Sequence, residues 1–175
     1  MDREFVLVIS DTHGCVKPFA AALRWAAERG IGRGLFLGDG ADDIRAEETG
    51  TILDWTAVRG NMDGAGPLSA VAEFAGRRLY LAHGHAFQLN LGLDLLAAAA
   101  RAAGAEAALF GHTHVPCFGF FDGMAFLNPG SAGRPRSRHG ASFAVLEAPV
   151  RGPLKASFWG IGKTRSGYAI KEFTL

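Results

Sequence analysis

Five apolar runs of strand length each end in a glycine-containing segment that carries aspartate, asparagine or histidine. The segments are Ser10-Asp11-Thr12-His13-Gly14, Gly38-Asp39-Gly40, Gly60-Asn61-Met62-Asp63, His83-Gly84-His85 and Gly111-His112-Thr113-His114, and they hold five of the six histidines. A chain with chemistry after every buried strand has few folds open to it. In α/β sheets, ligands bind beyond the carboxyl ends of the strands. The repeated pattern therefore reads as one metal centre assembled from five strand ends.

The intervening stretches fit that frame. Residues 5–9 are apolar without alternation, which predicts a strand covered on both faces. Residues 17–29 predict a helix, with Pro18 in its first turn, Gly30 beyond its end and Phe19, Leu23, Ala26 and Ala27 on its buried face. Trp25 reads as a packing residue. Residues 34–37 follow as a strand, and the strand–helix–strand order implies a right-handed parallel crossover that brings Asp39 beside Asp11. Asp42, Asp43, Glu47 and Glu48 read as a solvated acidic helix start. Residues 56–58 form a third short strand. Residues 71–74 and 78–82 predict a hairpin around Gly76, residues 91–103 a helix closed by Gly104, and residues 107–110 a core strand. Residues 118–121 and 124–127 flank Asp122-Gly123, a hairpin turn signal. Residues 142–146, 154–159 and 168–173 lack intervening helices and predict a second sheet rich in antiparallel pairs.

The chain of 175 residues is long enough for one domain, residues 1–175, with a substantial core. Its net charge of +1 argues against a protein built to coat nucleic acid. Cys15 and Cys117 form no CxxC pair, so neither a disulfide framework nor a cysteine-rich zinc site is expected. Cys15 reads as a small packing residue. No leader-like segment opens the chain and no apolar run approaches membrane-spanning length, so the expected location is cytoplasmic.

Carboxylate, imidazole and amide oxygen together suit borderline divalent ions. Read in order, DTH, GD, GN, HGH, GHTH and Asn128-Pro129-Gly130-Ser131 resemble the calcineurin-like metallophosphoesterase superfamily, specifically its small YfcE-type phosphodiesterase branch. The resemblance runs from about residue 5 to residue 131. It implies an αββα sandwich of four layers, two mixed β-sheets flanked by helices. It also implies two divalent metal ions, manganese first, with nickel, iron, cobalt or zinc as alternatives. By motif, Asp11, His13 and His114 would hold one ion, Asn61, His83 and His112 the other, and Asp39 would bridge both. The implied activity is hydrolysis of a phosphate ester by a metal-bridging hydroxide. Asp39, Asn61, His83 and His85 would be catalytic, and Asn61, His85 and Arg134 would contact substrate.

One departure narrows the activity. Phosphomonoesterases of the superfamily commonly carry His after the GN pair, and Met62 here cannot donate a proton. That favours a phosphodiesterase acting on good leaving groups, or one that uses His85 or Asp63 as the acid. The Asn128–Ser131 segment is expected to wall the site. Arg134, Arg136, Arg138 and His139 read either as a solvated basic loop or as anion capture. Two other functions share the fold: a non-catalytic scaffold such as the retromer subunit, for which Phe158 or Trp159 would mark a partner surface, and a nuclease, which the charge and length disfavour. The expected partner is a small phosphate-ester substrate, with no membrane and no nucleic acid, and a homodimer or larger homo-oligomer fits the resemblance.

Overall fold

The computed structural model describes residues 3–45, 53–149 and 151–175. In chain order the elements are β1 (Arg3–Ile9), α1 (Val16–Ala27), β2 (Arg33–Phe36), α2 (Ala41–Arg45), β3 (Asp54–Ala57), β4 (Ser69–Phe74), β5 (Arg77–Ala82), α3 (Asp94–Ala102), β6 (Ala107–Phe110), β7 (Cys117–Phe121), β8 (Met124–Asn128), β9 (Ser142–Pro149), β10 (Lys155–Thr164) and β11 (Gly167–Phe173). One sheet runs β11-β10-β9-β1-β2-β3 and the other β4-β5-β6-β8-β7. Each has a parallel centre: β1, β2 and β3 in the first, β5, β6 and β8 in the second. Both sheets are therefore mixed, and helices cover their outer faces, giving the four layers expected from the motifs.

The unbroken apolar runs are explained by two cores. Along β1, Val6 and Val8 face the other sheet and meet Leu81, Leu109 and Leu127. Leu7 and Ile9 point the opposite way and pack under α1 against Phe19, Leu23 and Trp25. Successive strand side chains alternate faces, so a strand buried on both sides must be apolar at every position. The second sheet repeats this. Leu79 and Leu81 face inward, while Tyr80 and Ala82 lie beneath Leu96, Ala97 and Ala100 of α3. Burying each large aliphatic or aromatic side chain contributes about 1.5–3 kcal/mol.

Trp25 is buried, its ring 5.2 Å from Phe143 and 4.3 Å from Trp159. Asp122 and Gly123 both take positive φ, as the tight turn between β7 and β8 requires. Among the described residues no helix is long and apolar enough to cross a membrane.

Four expectations are corrected. The last three strands do not build a second sheet. β9 pairs antiparallel with the free edge of β1, Leu7 opposite Val145, and β10 and β11 extend the first sheet outward. The second sheet comes instead from β4 to β8, because local pattern does not say which open edge a later strand will find. Ala27, the last residue of α1, is exposed while Ala26 beside it is buried. Helix α3 starts at Asp94, after a run of turns through residues 86–91 that leaves Leu91 exposed. Phe158 is no surface residue: it is 4% exposed and sits in the core between the sheets.

Candidate metal centre

The parallel strands of both sheets present their carboxyl ends to one another, and the five motif segments meet there. Backbone bonds stitch the ends together: Asp11 N–H to Gly38 O at 2.9 Å, His13 N–H to Asp39 O at 3.0 Å and Gly111 N–H to His83 O at 2.9 Å. The approach is close. A Cβ on Gly111 would lie 2.0 Å from Ser10 Oγ, and one on Gly60 would lie 1.9 Å from Asp39 Oδ1. Neither position has room for a larger residue.

Asp11 is fully buried. Its Oδ2 accepts the Ser10 hydroxyl at 2.6 Å and the His112 backbone N–H at 3.1 Å. Its Oδ1 makes no hydrogen bond of acceptable geometry, although the Nε2 atoms of His114, His13 and His83 stand 3.0, 3.8 and 3.9 Å away. Asp39 is arranged in the same way. Its Oδ1 accepts the Met62 N–H at 2.8 Å, and its Oδ2 lies 3.4 Å from His83 Nε2 and 3.8 Å from His13 Nε2.

Two histidines are aimed by backbone carbonyls. His83 Nδ1 lies 2.7 Å from Leu37 O, and His114 Nδ1 lies 2.5 Å from Arg134 O. A carbonyl only accepts, so each Nδ1 carries the proton and each Nε2 turns its lone pair inward. His83 Nε2 is buried with no hydrogen-bond partner. His13 Nε2 and His114 Nε2 face each other at 3.3 Å. Inward lone pairs beside two buried carboxylates are the donor arrangement a divalent cation satisfies. The ligand atoms fall into two groups that share Asp11: Asp11, His13 and His114, and Asp11, Asp39 and His83, each within 4.8 Å.

Burial holds His13 and His112 below the usual imidazole pKa, which favours the neutral, metal-binding form. His114 is raised, chiefly by its contact with the Asp11 carboxylate. Five of the candidate ligands, Asp11, His13, Asp39, His112 and His114, hold positive φ between 47° and 65°. Left-handed backbone costs a non-glycine residue about 1–2 kcal/mol. Its concentration here marks a site whose geometry is imposed by its surroundings.

The remaining expected site residues occupy the rim. The His112 ring lies 5.1 Å from that of His83, and the His85 ring 5.5 Å from that of His83. Burial also lowers the pKa of His85. Asn61 is exposed on its loop, beside the Met62 N–H that binds Asp39. Arg134 contributes its carbonyl to His114, while its side chain is exposed and near enough for its charge to act on His13.

Several supporting residues were not identified from the sequence as supports. Asp63 accepts four backbone N–H groups, from Gly60, Asp39, Gly40 and Ala41, at 2.7–2.9 Å. Those bonds hold its carboxyl below the ordinary carboxylate range against the opposing effect of burial, which excludes it as a general acid. Asp43 is no solvated helix-start charge. It is 8% exposed and accepts the Thr12 hydroxyl and the Gly14 N–H. Asp42 is exposed, and Glu47 and Glu48 lie outside the described residues. The Asn128–Ser131 segment lies under the site as a tie. Asn128 Nδ2 donates to Gly111 O at 2.7 Å, and the Ser131 hydroxyl donates to Asp11 O at 2.8 Å. Acidic residues next to glycine look alike in sequence whether they point at solvent or at backbone amides, so nothing local announced these roles.

Comparison with known proteins identifies the family and the fold. The family model described as the calcineurin-like phosphoesterase superfamily domain matches residues 5–149. The probable metallophosphoesterase YsnB of Bacillus subtilis (strain 168) is 30% identical over 144 residues, covering 81% of this chain and 82% of its own. A predicted phosphoesterase from Streptococcus pneumoniae TIGR4 superposes with a TM-score of 0.77 at 24% identity, covering 99% of this chain and 98% of that one. Vacuolar Protein Sorting 29 from Cryptosporidium parvum gives 0.73 at 20% identity with both chains fully covered.

Proposed function

Because this chain belongs to the calcineurin-like phosphoesterase superfamily, we propose that it is a metal-dependent phosphodiesterase with a dinuclear centre. The observation that carries the reading is the pair of ligand groups sharing Asp11, with Asp11 Oδ1 and His83 Nε2 buried and unpartnered between them. The first ion falls to Asp11, His13 and His114. Asp11, Asp39 and His83 would hold the second, with Asn61 and His112 as further candidates on the rim; Asp11 is common to both groups, and Asp39, whose Oδ2 lies 3.8 Å from His13 Nε2, is a second carboxylate that would bridge them. Manganese is the first choice among borderline ions that accept this oxygen and nitrogen set.

Divalent cations held there supply Lewis acidity for a water-derived nucleophile and for the charge on the phosphate. The chain's own residues do the rest. Asp11 and Asp39 provide the negative charge that retains cations. The carbonyls of Leu37 and Arg134 keep His83 and His114 aimed inward. His85, its pKa held below the usual imidazole value by burial, would offer a ring N–H to a phosphate oxygen. With Met62 after Asn61 and Asp63 held anionic, that loop has no proton donor for the leaving group. This favours diesters whose leaving group departs without protonation.

The test is hydrolysis of bis(4-nitrophenyl) phosphate and 4-nitrophenyl phosphate by metal-stripped protein, with Mn, Ni, Co, Zn or Mg added back singly and Asp39→Asn as control. Metal-restored diester cleavage that the control loses supports the reading. A protein that binds two metals and turns over neither ester refutes it. That result would favour the second reading, a non-catalytic scaffold, to which the missing proton donor after Asn61 also lends weight.

A further inference from the structure

Beside the metal ligands lies a cavity of about 290 Å³ whose lining includes His85, Gln88, Asn90, His112, Thr113 and Arg136. Its volume sits at the lower limit of ordinary ligand pockets, room for a phosphate and the start of its substituent. Among the described residues no carboxylate lines it. Arg136 has no ion-pair partner among the described residues. Its backbone is anchored, the N–H donating to His114 O at 3.3 Å, so the guanidinium is carried on the loop that also aims His114. A second cation, Arg59, is close enough to His85 to act on it electrostatically, and its Nε is buried without a hydrogen-bond partner. Part of the lining comes from the turns of residues 86–91, where Phe87 packs against Tyr80 and Gln88 holds φ +49°. These turns carry Gln88 and Asn90, both exposed, on the cavity wall.

This region therefore combines two properties. It offers the Arg136 guanidinium, without an ion-pair partner among the described residues, in the cavity beside the metal ligands, and the Asn61 loop supplies no acid to protonate a leaving group. An alcohol expelled as alkoxide needs the acid. A phosphate does not, because its second pKa is about 6. What a departing phosphate requires is charge neutralisation and hydrogen-bond donors, and arginine matches its geometry.

We propose that the bond this site is built to cut is the P–O–P bond of a disubstituted pyrophosphate, with the departing phosphate seated against Arg136, Gln88 and Asn90. The inference rests on the metal-dependent hydrolase reading above. Water oxygen attacks the phosphorus lying on the metal ligands. The bond from that phosphorus to the bridging oxygen breaks, and the bridging oxygen leaves with its electron pair on the second phosphate. Water's two protons are released, and two phosphate monoesters result. Arg136 is a specificity residue that touches the departing phosphate.

The experiment uses metal-loaded protein and three probes: P1,P2-diadenosine pyrophosphate, adenylyl-(3′,5′)-adenosine, and bis(4-nitrophenyl) phosphate. The first two differ in whether a phosphate or an alkoxide departs. The expected result is a kcat/KM for the pyrophosphate at least 100-fold above that for the dinucleoside monophosphate. Arg136→Gln should lower the pyrophosphate value, relative to the aryl diester value, by roughly 10- to 100-fold, the range of a lost charge-assisted bond pair. Arg136→Lys should recover part of the loss. A binding readout stands apart from turnover: adenosine 5′-monophosphate, titrated calorimetrically into metal-free protein, should bind at least 5-fold more weakly to Arg136→Gln. Metal-dependent cleavage of the aryl diester with no preference for the pyrophosphate overturns this inference and leaves the phosphodiesterase reading standing. No metal-dependent cleavage of any probe overturns both.

Discussion

Asp63 provides the sharpest test of how this site is held together. Its Oδ2 accepts the N–H groups of Gly60 at 2.7 Å and Asp39 at 2.8 Å, and its Oδ1 those of Gly40 at 2.8 Å and Ala41 at 2.9 Å. One carboxylate thus joins the loop after β2, which carries Asp39, to the loop after β3, which carries Asn61. In Asp63→Ala all four amides lose their acceptor. A net intramolecular hydrogen bond is worth about 1 kcal/mol, more with an ionised acceptor. Asp63 is only half-buried, so water will replace part of the loss, and a cost of about 3–4 kcal/mol is expected. Asp63→Asn is the informative companion. It keeps the shape and one oxygen but turns an NH2 toward two N–H donors, so it should fall within about 1 kcal/mol of the alanine variant. The assay is urea unfolding of metal-free protein, comparing midpoints at constant slope. The folded-state pKa of Asp63 is depressed, so its contribution is complete above the unfolded value near 3.9 and is lost as pH falls through the folded value. Asp63→Asn should therefore flatten the fall of stability in that acid window. If both variants unfold within about 0.5 kcal/mol of the parent, the clamp contributes nothing and the reasoning fails.

Three further outcomes follow from the same geometry. Gly60→Ala would place a Cβ 1.9 Å from Asp39 Oδ1 and 2.5 Å from Asp39 N, so metal affinity measured calorimetrically should fall at least about tenfold, with about 1–3 kcal/mol lost in stability from overpacking. Chelation should lower the melting temperature, since metal at 100 times its Kd adds about 2.7 kcal/mol, and His83→Ala should abolish most of the difference between metal-loaded and metal-free scans. Trp25→Ala removes a ring packed on Phe143 and Trp159 and should cost about 3–5 kcal/mol, seen as a melting shift of roughly 2–4 °C per kcal/mol.

The buried strands and the cluster of Asp11, His13, Asp39, His83 and His114 were legible because both rest on local signals, whereas the four-layer architecture came from the resemblance those signals carry. A continuous apolar run followed by glycine and a ligand residue states a buried strand and a reactive loop in the same few positions. The helix around Phe19 and Leu23 and the hairpin at Asp122-Gly123 were readable for the same reason: periodicity and turn chemistry are short-range. The less legible features depend on partners far away in sequence. Asp43 looked like a surface charge and Asp63 like a candidate acid until the amides they meet, from Gly14 and from residues 39–41 and 60, were brought beside them. Phe158 looked like a surface aromatic until β10 was added to the outside of β9.

The sequence by itself determined which residue types stand after which strands, and with them the donor set and the family. A side chain's chemistry and its place in a periodic run are carried by the run itself. Only the tertiary structure decided that β9 closes on β1 and that Leu37 O and Arg134 O aim His83 and His114. It also decided that Arg136, rather than Arg134, lines the cavity beside His85. These are choices among chemically equivalent edges, carbonyls and guanidinium groups. What distinguishes one from another is the packing of two sheets, which places a strand end, a ring nitrogen or a charge within bonding distance of residues dozens of positions away.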